Sequence, residues 1–402
     1  MNSKAMDLLE ALGDIPEELL SEAAHEKLRP RLWKRWIAAA AVVVSAGIGA
    51  SLLYHYQNSA ALVEQTELPL FSAGMDFGEG GSGGCSEITA DIYSNSWREN
   101  ISVSTLPVFK NQNCVDEDGF ASLPFDSIRG ELVRQMKTAA EALGAEMNEN
   151  DITDDRRTKE QIRDFISIYG TEDSDGISDT NTDATRISVE TERLRIIVDR
   201  SFHTYIWYHH DSRPDKVYRC GNYEETMQTA EQLRLDYPGI FAAAGIKNPV
   251  PHITSTGTGS GFNITFYEAG SDPEQDIVNS GICYVNFYGF DDMKLDGIHI
   301  QRHDMLSEYL GDYPLLTVEE AAEQLKSGNF YCSDPRSEDV YPDGYSAVAL
   351  QYSFGQHSQY FCPYYIFYVK IPYEPKDRDN TEYYSVFLVP AVRPEYLIEN
   401  QQ

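Results

Sequence analysis

The sequence predicts an α+β fold: antiparallel sheets with flanking helices in an extracytoplasmic region, plus one N-terminal transmembrane helix. Three observations predict it. Residues 37–53 are 17 consecutive uncharged, mostly apolar residues, and a helix of about that length crosses a ~30 Å hydrocarbon core. Beyond them, segments of apolar–polar alternation come in groups, whereas a parallel sheet would have strands exchanging strictly with helices. Between these groups stand a few amphipathic stretches preceded by helix-start residues.

Residues 1–35 read as a cytosolic amphipathic arm. Asp14 is placed to cap a helix, Pro16 suits its first turn and Glu17 completes an Asp-x-x-Glu capping box. Leu8, Leu9 and Leu12 precede Gly13, and Leu19 and Leu20 follow it, making an apolar stripe. A segment this short builds no core of its own. The stripe therefore needs a membrane or a partner's groove, and the acidic opposite face favours a cytosolic regulatory protein over anionic lipid.

Residues 36–56 read as the transmembrane helix. Trp33 and Trp36 stand at one end and Tyr54 and Tyr56 at the other, where amphipathic rings anchor at the headgroups. Arg29, Arg31, Lys34 and Arg35 crowd the N-terminal flank, and no Lys or Arg follows until Arg98. The positive-inside rule then puts the N-terminus in the cytosol and the body outside the cell membrane. A cleaved signal peptide fits less well: 35 residues precede the apolar run, and no small-residue cleavage site directly follows it.

The string "LLEALGDIPEELLSEAA" (8–24), followed by "RPRLWKRW" (29–36) and an Ala-rich span, resembles uncharacterised single-pass membrane proteins of Gram-positive bacteria, some of which look like anti-sigma or signalling regulators. The resemblance implies regulation through protein contacts. The zinc-binding His-x-x-x-Cys-x-x-Cys of one anti-sigma class is absent, since the arm has no cysteine.

Residues 57–84 read as a flexible linker, with the Gly-rich "FSAGMDFGEGGSGG" (71–84) at its end. Two α+β lobes are expected, 85–215 and 216–402. In the first, strands are expected at 87–94 and 100–109, helices at 125–143 (capped by Asp126) and 160–170, then strands at 187–199 and 203–210. In the second, a helix is expected over 222–245, strands over 261–269, 281–290 and 297–303, and a helix over 317–330 opened by a Thr317/Glu320 capping box. Alternating strands at 345–354, 363–372 and 383–392 close the chain. "YPLLTVEEAAEQLKSGNFY" (313–331) and the strands after it also resemble extracellular modules of the YycH/YycI or PepSY type, which are small α+β units acting through protein contacts.

The net charge of −32 falls almost wholly on the body, because residues 1–35 sum to −1. Such a surface excludes nucleic acid as a partner. Six cysteines, Cys85, Cys114, Cys220, Cys283, Cys332 and Cys362, all follow the apolar run. An oxidising compartment would allow up to three disulfides among them; buried free thiols are the alternative.

Tests for chemistry find no catalytic motif, so no enzyme and no cofactor are expected. His299 and His303, four apart with Asp304 following, could share a strand face as metal donors, but Ile300 stands where a zinc protease needs Glu. "TEDSDGISDTNTD" (171–183) lacks the acidic residues an EF-hand needs at both ends. "STGTGSGFN" (255–263) reads as a hairpin loop. Of 26 tyrosines, those in strands (Tyr284, Tyr288, Tyr360, Tyr364, Tyr365 and Tyr368) either pack the core or dock a sugar or peptide. The expected function is a membrane-anchored extracytoplasmic regulator or sensor acting by protein or ligand binding. The alternative is a surface-tethered glycan- or peptide-binding module without signalling, and a cell-envelope enzyme ranks behind both.

Overall fold

The computed structural model describes residues 68–74, 85–87, 103–114, 123–156, 184–253, 261–290, 292–332, 344–353, 358–370 and 383–398. The leucine arm, the apolar run and its basic and aromatic flanks lie outside the described residues, as do the expected helix at 160–170 and the acidic stretch 171–183. Among the described residues no helix is long and apolar enough to cross a membrane.

The described residues form an α+β fold of antiparallel sheets and helices. In chain order the strands are β1 (Cys85–Glu87), β2 (Thr105–Asn111), β3 (Thr153–Arg156), β4 (Ala184–Glu190), β5 (Leu194–Asp199), β6 (Thr204–Tyr208), β7 (Pro249–His252), β8 (Phe262–Glu268), β9 (Cys283–Gly289), β10 (Gly297–Arg302), β11 (Ser307–Pro314), β12 (Tyr331–Cys332), β13 (Ala347–Ser353), β14 (Tyr360–Lys370) and β15 (Tyr383–Pro390). The helices are α1 (Phe125–Ala142), α2 (Tyr223–Asp236), α3 (Pro238–Ala244), α4 (Pro273–Ile282) and α5 (Val318–Lys326).

Eight strands pair antiparallel in the order β3-β4-β5-β6-β10-β9-β8-β7. The lobe boundary expected at 215/216 falls inside this sheet, because β6 pairs with β10. The other seven follow the path β1-β15-β14-β2-β11, with β12 also on β15 and β13 also on β14. This second sheet joins residues near 105 to residues near 365, so the chain leaves it, builds the first sheet and returns.

Local chemistry explains where the elements depart from expectation. The strand expected over 187–199 is a hairpin. Thr191 Oγ1 accepts hydrogen bonds from the backbone N–H of Arg193 and Leu194, which turns the chain between β4 and β5. The helix expected over 222–245 is two: Pro238 cannot continue the bonding of α2 and instead opens α3. Gly245, at φ 81°, closes α3 in the left-handed conformation. Asp126 does not cap α1; Pro124 holds that position without a side-chain bond, and Asp126 lies in the first turn. The capping box of α5 is present as read, Thr317 with Glu320.

The second sheet is stapled by buried tyrosines. Tyr313, Tyr352, Tyr364 and Tyr365 donate their hydroxyls to the carbonyls of Pro69, Pro107, Ala73 and Leu316 at 2.6–2.8 Å. Two of those carbonyls belong to residues 68–74, inside the stretch expected to be a flexible linker. That segment is held: Phe71 is fully buried, pairs in parallel with Leu397 and sits edge-on to Tyr313 at 5.1 Å. The Gly-rich composition misleads here because Leu70, Phe71 and Ala73 form an apolar patch beside the glycines.

Candidate functional site

The two faces of the eight-stranded sheet differ. One is a core face: Ile196, Val198, Ile206, Phe287, Ile298 and Phe266 are buried on it, and α3 reaches it through Phe241, whose ring lies 5.1 Å from Phe266 and 5.7 Å from Phe287. On the other face, at alternate positions, Tyr205, Trp207, Tyr284, Asn286, Tyr288 and His299 are half-buried and aromatic or polar, with Ile197 buried among them. Strand period and register together bring them into rows. Trp207 stands opposite Gly297, and Gly297 opposite Tyr288; Tyr205 stands opposite His299, and His299 opposite Asn286.

The rings of this second face are ordered. Trp207 stacks on Tyr205, centroids 5.6 Å apart and planes 8° apart. Tyr205 stacks on His299 at 4.4 Å and 10°. Tyr284 meets His299 edge-on at 6.1 Å. Gly297 leaves room for Tyr288: a Cβ there would lie 2.3 Å from the Tyr288 hydroxyl and 2.8 Å from the Ile206 carbonyl. Beside the rings, Asn286 donates to Thr265 Oγ1 at 2.9 Å, and Arg195 pairs with Glu190 at 3.2 Å. The ring edges and polar tips therefore make an amphipathic surface, suited to a ligand with both apolar and hydrogen-bonding faces. Burial pushes the Tyr284 and Tyr288 hydroxyls up to about 12, so they remain neutral donors at physiological pH.

Beneath one end of this ladder three histidines meet. His203 lies edge-to-face with His299 at 5.4 Å and with His303 at 5.1 Å. Asp199 Oδ2 is 3.5 Å from His203 Nδ1. His303 does not share a strand face with His299, because it leaves β10 in a one-turn helix, His303–Leu306. Asp304 is engaged by both Nε and Nη2 of Arg302 at 2.7–2.8 Å. The His299/His303/Asp304 donor set read from the sequence is therefore not assembled, and no group of three His, Cys, Asp or Glu among the described residues is arranged to hold a metal.

Cys220, Cys283 and Cys362 carry free thiols, the alternative to disulfides that the sequence left open. Burial pushes their thiols up, to about 11 for Cys220 and about 12 for Cys283 and Cys362. Such thiols are poor nucleophiles. Cys85 enters β1, and Cys114 and Cys332 are half-buried.

Of the strand tyrosines, Tyr284 and Tyr288 reach the aromatic face, whereas Tyr364 and Tyr365 staple the second sheet. Sequence reading missed Tyr205, Trp207 and His203 as parts of the site. Their signal was present in "HTYIWYHH", where the odd-numbered positions share one face.

No protein-family profile matches the chain, and no curated protein matches it. Among solved structures, an uncharacterized protein from Eubacterium rectale is similar with a TM-score of 0.33 and 11% identity, covering 72% of this chain and 84% of that one.

Proposed function

We propose that the protein is a single-pass, membrane-anchored sensor whose extracytoplasmic body binds a ligand on the aromatic face of the eight-stranded sheet. The observation that carries this reading is the Trp207–Tyr205–His299 stack, half-buried on the face turned away from α3. Rings on a surface retain apolar area that binding can bury, and their polar tips orient what binds. The basic flank Arg29–Arg35 and the aromatic pairs support the anchor and its orientation. The Leu8–Leu20 stripe supports a cytosolic regulatory partner that receives the signal.

One structural feature favours relay over passive tethering. Residues 68–74 are bonded to the body, so residues 57–67 are the only chain left between Tyr56 and that docked segment. Eleven residues span at most about 40 Å fully extended, a short linkage for a module that merely needs reach.

The test uses full-length protein in nanodiscs, titrated calorimetrically with soluble glycan fragments and with unstructured peptides. The proposal expects saturable binding by one class and at least about a tenfold loss in Trp207→Ala, equivalent to ~1.4 kcal/mol. Absence of binding by both classes, or equal binding by the variant, rejects the site. Scrambling residues 8–24 separates relay from tethering: ligand binding survives in both cases, but a relay loses its cytosolic partner.

A further inference from the structure

We infer that His203, His299 and His303 form a proton-responsive latch between the two sheets, and that protonating it opens the aromatic face; this rests on reading that face as the ligand surface. The position of the cluster is the first reason. His303 packs on Phe361 of β14 with centroids 4.9 Å apart, which ties the end of β10 to the second sheet. The turn that carries His203 is tied to the same sheet, because Asn113, just past β2, donates its side-chain amide to the Arg200 carbonyl at 2.8 Å. On its other side the cluster supports the ladder, since Tyr205 stacks on His299 and Trp207 on Tyr205. A change in the imidazoles therefore acts on the sheet junction and the aromatic face together.

The second reason is the chemistry of the cluster. Nε2 of His203 and Nε2 of His299 are buried and have no hydrogen-bond partner. Neutral imidazole tolerates this arrangement, whereas imidazolium needs a partner for every N–H and a counter-charge. Among the described residues, the charged and titratable groups shown around the cluster are these. Asp199 faces His203 and has Arg186 nearby, and the Tyr205 hydroxyl lies 3.4 Å from His203 Nδ1. Tyr284 flanks His299, Arg302 and Asp304 bond each other, and β14 presents the apolar Phe361. Asp199 is thus the carboxylate shown against the cluster among the described residues, and it meets the cluster at His203.

The turn leading into the cluster is also poised to move. Phe202 has φ 60°, a left-handed conformation that bulky residues avoid. It is held there by the Asp199 carboxylate, which accepts from the backbone N–H of Ser201 and His203. Protonating Asp199 or displacing His203 weakens that hold.

The direction follows from where the protons bind. Burial pushes His299 down to about 3, and burial together with the charge of His203 holds His303 well below its ordinary range. Both are neutral in the closed form. Once hydrated in an opened form they regain ordinary values near ~6.5. The opened form therefore gains protons first as pH falls below about 6.5, and the closed form loses ground progressively from there.

The experiment uses the full-length chain in nanodiscs with Trp33, Trp36 and Trp97 replaced by Phe, which leaves Trp207 as the sole tryptophan. Its emission is followed from about pH 7.5 to 4.5 beside far-ultraviolet circular dichroism. The latch predicts a red shift of Trp207 at constant secondary structure, with a midpoint at least about one pH unit lower in His299→Phe/His303→Phe. Constant Trp207 emission across the range overturns it, as does an unchanged midpoint in the double variant. Should that variant not fold, the imidazole NMR resonances of the parent protein decide. At least two of the three must titrate together with the Trp207 transition, and independent titration rejects the latch. A Trp207 transition without ligand binding at any pH would remove the ligand reading and leave the latch. Ligand binding that is equal at about pH 7.5 and 5, with Trp207 silent, would do the reverse.

Discussion

At Tyr364 the ring and the hydroxyl do separate work. The ring fills the core of the second sheet, and the hydroxyl donates to the Ala73 carbonyl at 2.8 Å. Tyr364→Phe keeps the ring and orphans a buried carbonyl, so we expect a loss of about 1–2 kcal/mol in urea unfolding and faster proteolysis near residue 73. Trp207 is the opposite case. It is half-buried on the aromatic face, so Trp207→Ala should change stability much less than Tyr364→Phe while weakening ligand binding at least about tenfold. The thiols of Cys220, Cys283 and Cys362 give a third expectation at this scale. They should resist maleimide in the native protein and label only on unfolding, as mass spectrometry of the labelled peptides would show. Residue type alone did not separate these roles: Tyr288 and Tyr364 look alike in the sequence, and only the strand partners distinguish them.

Elements with strong local chemistry were legible. Thr317 and Glu320 mark the start of α5 because each satisfies a backbone group the helix leaves unpaired. Thr317→Ala should cost about 1 kcal/mol, measured by thermal unfolding. The long strands β13, β14 and β15 were legible from alternation and aromatic content. Elements whose signal is short were missed. α4 was given no element of its own, and its last two residues were placed in the strand expected at 281–290, although Asp272 caps it and Pro273 opens it; its ten residues make less than three turns. β3, β7 and β11 carry charges, prolines or a glycine, and they exist because neighbouring strands supply their hydrogen bonds. The hairpin of β4 and β5 was merged into one strand because Thr191, Glu192 and Arg193 include no Gly or Pro to announce the turn. Gly289 tests the close approach that follows β9: a Cβ there would fall 2.0 Å from the Lys294 carbonyl. Gly289→Ala should destabilise by about 1–3 kcal/mol, since backbone must shift to admit it.

For the whole molecule the expectation concerns acid. His299 and His303 have lowered values in the fold, so their neutral, buried state is fully compatible with folding above about pH 6.5. Stability should fall as pH drops below that, because the unfolded chain binds protons that the fold refuses. Asp199 works the other way, since burial raises it and its protonation relieves a buried charge. Its protonation in the fold therefore offsets part of the decline that the histidines cause. Urea midpoints measured at intervals from pH 7.5 to 4.5 should decline with pH, and His299→Phe/His303→Phe should flatten the decline.

By itself the sequence determined the α+β character of the body, the caps that begin its clearest helix, the alternation that builds its long strands, and the uneven charge that sets the first 35 residues apart. These depend on contacts within a few residues, where spacing and side-chain type are sufficient. The aromatic face and the histidine cluster were decided by tertiary structure alone. His203 and His299 are separated by nearly a hundred residues, and they meet because β6 pairs with β10 in one register. A shift of that register by one residue would turn His299 into the core and dismantle the ladder. The sheet topology likewise decided that residues 68–74 are docked, since their partners Leu397, Tyr313 and Tyr364 come from the far end of the chain.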